Sequence, residues 1–130
     1  MSRGMVVALT LALIGSVLSC RRSPDVAVGG IYSIVDGSGR FGIAKVLARD
    51  EGMCHVRVYK QKFASRPEKV DPSELSLGTI HDKDGFGMGH LPLRDEAFRA
   101  WQPVFILKTP VTSEELEGYR MWKEAKGGVF

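Results

Sequence analysis

The sequence predicts a small α+β fold, a strongly bent antiparallel sheet or barrel of about four or five strands with a C-terminal helix. Three observations carry that expectation. Apolar runs with period-two alternation follow one another from Gly29 onward. Gly-rich turn signals separate them. Near the end of the chain a capping sequence opens a stretch with helical spacing.

Ile31 to Val35 reads as a short apolar strand that stops at Asp36-Gly37-Ser38-Gly39. Arg40 to Ala48 reads as the next, with Phe41 and Ile43 on one face and Ala44 and Val46 on the other. Asp50-Glu51-Gly52 turns the chain again. A third strand runs from Met53 to Phe63, where Cys54, Val56 and Val58 alternate with His55, Arg57 and Tyr59. Three strands joined by tight turns form a meander.

Ala64 to Leu77 is a longer connection holding Pro67 and Pro72, with a single helical turn expected at Asp71–Leu75. Residues 81–90 carry Gly85, Gly87 and Gly89 and read as loop. From Pro92 to Trp101, the spacing of Leu93, Ala97 and Trp101 predicts a short helix. Val104 to Leu107 is an apolar strand bounded by Pro103 and Pro110. Thr112-Ser113-Glu114-Glu115 is a capping box, opening a helix to about Lys126 before Gly127-Gly128 ends it.

The chain of 130 residues carries a formal charge of +3, and Arg3 is the only charged side chain before Cys20. Acids and bases alternate, as in Arg49-Asp50-Glu51 and Arg94-Asp95-Glu96. Charge is therefore not gathered on one face as nucleic-acid binding requires, and no nucleic-acid partner is expected.

The N-terminus is organised differently. Arg3 precedes an apolar run from Met5 to Val17, too short for the ~20 residues of a bilayer span but fitting the core of an export signal. The run ends at Val17-Leu18-Ser19-Cys20, which resembles the lipobox of bacterial lipoproteins. The resemblance implies a signal peptide over 1–19, cleavage after Ser19, and a lipid thioether on Cys20. Two or three acyl chains there would anchor the chain stably. An ordinary cleaved signal and an uncleaved anchor are the alternatives. Residues 20–28 then form the lipid-bearing cysteine and a short polar tether, and 29–130 a single domain. Arg21, not Asp, follows the cysteine, which by the same resemblance implies the periplasmic face of the outer membrane in an organism that has one.

Only Cys20 and Cys54 are present. With lipid on Cys20, Cys54 has no intramolecular partner and is expected as a buried free thiol; otherwise a Cys20–Cys54 bridge is the alternative. Residues 29–47, GGIYSIVDGSGRFGIAKVL, resemble the opening hairpin of Tudor-like small barrels and of a class of toxin-immunity proteins. That resemblance implies a barrel hairpin and, for the second group, an inhibitory role.

Candidate sites are sparse. No nucleophile elbow, P-loop, dinucleotide fingerprint or zinc-protease helix occurs, so neither an enzyme nor a cofactor is expected. His81, Asp82, Asp84 and His90 come nearest to a metal set, but their spacing matches no ligand motif and the intervening glycines read as turns. Lys45, His55, Arg57 and Tyr59 are expected on one sheet face, where cationic and aromatic groups suit an anionic envelope partner or cell-wall glycan. The functional expectation is a membrane-anchored, non-catalytic binding or structural module at the cell envelope. An immunity or inhibitor protein against an envelope-acting toxin or hydrolase is the second expectation, and an enzyme with an unfamiliar site the third.

Overall fold

The computed structural model describes residues 26–130. The expected signal peptide, Cys20 and the first part of the expected tether lie outside them. Five strands form one antiparallel sheet in the order β4-β3-β2-β1-β5. They are β1 (Gly30–Val35), β2 (Phe41–Asp50), β3 (Met53–Val58), β4 (Met88–Arg94) and β5 (Val104–Lys108). Two short helices complete the α+β fold, α1 (Asp95–Ala100) and α2 (Glu117–Glu124). β4 and β5 are the sheet's two edges, so the sheet is open and does not close into the barrel that was one of the two expected forms.

The meander β1-β2-β3 forms where the alternation predicts it. Asp36 organises the first turn: its Oδ1 accepts hydrogen bonds from the Ser38 amide, the Ser38 hydroxyl and the Arg40 amide. Those Ser38 bonds pull the Asp36 carboxyl down to about 2. Gly52 takes φ +72° in the second turn, the left-handed region that favours glycine.

Both faces of the sheet are covered. On one, Tyr32, Ile34, Ala44, Val46, Cys54, Val56 and Leu93 pack beneath Phe98 of α1, with Val26 and Trp101 alongside. On the other, Ile31, Ile43 and Tyr59 pack against Phe63, Val70, Leu75 and Leu77 of the long connection. A 3-10 turn at Pro72–Glu74, capped by Asp71, lies where the single helical turn is expected.

Four elements depart from the sequence expectation. β3 ends at Val58 instead of Phe63, because Tyr59 to Phe63 leave the ladder and Phe63 forms an isolated bridge to Phe41. Residues 88–94 are strand, so the loop expected to His90 stops at Met88 and the helix expected from Pro92 starts at Asp95. Pro92 is tolerated because β4 is an edge strand. The capping box does form, with Glu115 N–H donating to Thr112 Oγ1 at 3.1 Å and Thr112 N–H donating to Glu115 Oε1 at 2.8 Å. It caps a turn, and α2 proper begins at Glu117. Among the described residues no helix is long and apolar enough to cross a membrane.

Candidate functional site

A β-bulge decides which side chains meet on the second face. Val46 pairs with Val56 and Ala48 with His55, leaving Leu47 as the extra residue. Strict alternation would send Asp50 to the same face as Ala44 and Val46. The inserted residue inverts the phase, so Asp50 joins Lys45 and His55 on the opposite face.

Lys45, His55 and Arg57 do share a face, with Lys45 directly opposite Arg57. That face is covered and not open to the anionic partner expected there. Lys45 is 4% exposed and His55 0%. Lys45 Nζ donates to Pro110 O at 2.7 Å and to both Glu115 carboxylate oxygens at 3.0 Å. Burial pushes the Glu115 carboxyl up, but the Thr112 amide and Lys45 outweigh it and hold the group low. Arg57 is half-buried, its Nε directed at Gly89 O. Tyr59 lies beyond β3 in the apolar cluster, where burial pushes its phenol up to about 12.

The roof is α2 and the segment before it. Tyr119 and Trp122 each meet the His55 ring edge-on at 4.5 Å between centroids. Gly118 passes so close to β4 that an added Cβ would stand 2.7 Å from His90 Cβ. Beneath this roof runs a hydrogen-bonded chain. His55 Nε2 lies 2.8 Å from Asp50 Oδ2, and His55 Nδ1 lies 2.8 Å from His90 Nε2. Tyr119 donates its hydroxyl to Asp50 at 3.3 Å, and Lys123 Nζ reaches Tyr119 Oη at 3.2 Å.

Burial pushes Asp50 up, yet its bonds to His55 and Tyr119 prevail and keep the carboxyl below its ordinary range. Burial and the charge of His55 both push His90 down. An Asp–His–His chain has the atoms of a proton relay. Among the described residues no hydroxyl or thiol nucleophile hydrogen-bonds His90, so the chain lacks the second half of a nucleophile–base pair.

The loop candidates for metal ligation disperse. Asp82 caps the turn at Thr79 and pairs with Lys60 at 3.1 Å. Asp84 is largely exposed, 3.7 Å from the same lysine. His81 is exposed, and His90 joins His55 instead. Among the described residues no three His, Cys, Asp or Glu side chains converge as ligands.

The opposite face holds an open pocket of about 480 Å³ beyond the C-terminal end of α1. Ile34, Val35, Val58, Ala100 and Trp101 line it, with Asp36 and Lys62 as its charged members. The sequence marks Val58 as an apolar periodic residue and Trp101 as a core residue, with an aromatic groove as the lesser reading. The junction of a strand end, a turn and a helix end has no local signature.

No family model matches the chain, and no curated protein or solved structure matches it either.

Proposed function

We propose that this chain is a lipid-anchored, non-catalytic binding module of the bacterial cell envelope, and that it holds an apolar or aromatic side chain of an envelope protein in the Trp101 pocket. The pocket is the observation that carries the reading. It is concave and mainly apolar, and its one acid and one base, Asp36 and Lys62, pair with each other at 3.7 Å, so apolar contact is what it offers a partner. The polar groups on the other face are engaged with one another in internal bonds.

The lipobox resemblance at Cys20 supports the anchor. Val26 packs on the core and its carbonyl accepts from Arg49, so only residues 21–25 separate Cys20 from the folded domain. Five residues reach at most about 18 Å. β1 then leads from Gly30 to Val35, at the pocket, about 17 Å further along the strand. On this reading the pocket stands at the end of β1 remote from the anchored end of the chain, where a partner reaches it. An inhibitory role is the same reading with a toxin or hydrolase as the partner.

A photoreactive amino acid at Gly37, beside the pocket, tests the binding claim in intact cells. We expect one discrete adduct with an envelope protein, lost on Trp101→Ala and absent when the probe sits at Glu124. Equal adducts from both positions would overturn the pocket assignment.

A further inference from the structure

α2 sits on two imidazoles, where an amphipathic helix normally covers aliphatic residues. Among its residues Gly118, Tyr119 and Trp122 alone are part-buried; Tyr119 and Trp122 close on His55, and Gly118 on His90. The His55–His90 contact of 2.8 Å needs one ring nitrogen as donor and the other as acceptor. The Asp50–His55–His90 chain therefore accepts one added proton with its bonds intact: His55 becomes a double donor, to Asp50 and to His90. A second proton, on His90, sets two N–H groups against each other.

We infer that α2 is a proton-controlled latch: double protonation of the His55–His90 pair breaks their hydrogen bond and releases α2 from the sheet while the sheet itself stays folded.

The charged surroundings fix the sign. β2 contributes the Asp50 carboxylate and Lys45, the latter neutralised by Glu115. β3 adds Arg57, and α2 adds Lys123 through Tyr119. One carboxylate thus faces two imidazoles and two further cations. His90, partly buried and pushed down by that burial and by His55, binds its proton more readily once α2 has left. Because its value in the closed state lies below the ordinary 6.5, the latch is closed above that pH. It opens as the pH falls through the lowered value. Release bares the His55 ring and the side of His90 that α2 covers.

Hydrogen exchange on the full chain in mild detergent reads the latch directly. Corrected for intrinsic exchange, α2 amides should lose about tenfold in protection per pH unit across the transition, one proton's worth. β2 and β3 amides should keep theirs. His90→Gln retains a donor for His55 Nδ1 without a titrating ring, and its α2 protection should not vary with pH. Unchanged protection of wild-type α2, simultaneous loss from α2 and β3, or a wild-type response in H90Q would each overturn the latch. Should H90Q not fold, the wild-type imidazole resonances decide. Release with the midpoint of the His90 titration supports the latch, and release without His90 titrating refutes it.

Discussion

Lys45 at the middle of β2 and Glu115 just before α2 form one buried ion pair across 70 positions of sequence, with Nζ 3.0 Å from each carboxylate oxygen. Side-chain exposures of 5% and 13% mark it as a structural bond, which ties the C-terminal segment to the centre of the sheet.

Removing one partner leaves the other charge buried without compensation. Glu115→Ala should cost about 3–5 kcal/mol, the range for a broken buried pair. Lys45→Met combined with Glu115→Leu should recover much of that loss, since an apolar pair replaces the charges without an orphan. Urea denaturation of the three chains measures both values. A Glu115→Ala cost below about 1 kcal/mol, the range of surface pairs, would mean that water reaches Lys45.

The pair also marks the limit of what the sequence discloses. Alternation in Met53–Val58 correctly assigns Cys54 and Val56 to one face and His55 and Arg57 to the other. It cannot tell whether a face is wet, because the groups that cover it, Glu115, Tyr119 and Trp122, lie far along the chain. Asp50 is illegible for another reason. It reads as the first residue of a turn, and only the bulge at Leu47 brings it beside His55. β4 is hidden by Gly89 and Pro92, residues depleted in strands, yet Cys54 and Val56 pair with Leu93 and Leu91 there. The β1-β2-β3 meander is legible because its turns and its period agree locally.

Cys54 is fully buried, a free thiol among the described residues, and burial raises it to about 11. At pH 8 a thiol reagent should label it at least about a hundredfold more slowly in the native chain than in denaturant, since reaction needs an exposed thiolate. Comparable rates in the two states would show that the strand opens readily.

The two large apolar anchors should differ in cost. Phe98 is 0% exposed and makes an edge contact with Tyr32 at 5.7 Å. Phe98→Ala should destabilise the domain by about 3–5 kcal/mol. Trp122 is half-exposed, held by the His55 contact and by Nε1–H donating to Gly128 O at 2.7 Å. Trp122→Ala should therefore cost less, and its effect on exchange should concentrate in α2. Thermal midpoints of both variants check the order. A larger loss for Trp122 would place the stability of the domain under α2 instead of α1.

The most direct test of the central claim is the mass of the chain recovered from cell membranes. A lipid-anchored module should begin at Cys20, and its N-terminal peptide should carry a diacylglyceryl group, with or without a further acyl chain. Cys20→Ala should leave the segment 1–19 attached and abolish the lipid mass. A membrane-associated chain whose Cys20 bears no lipid, or a Cys20→Ala chain cleaved as efficiently as the wild type, would contradict the account.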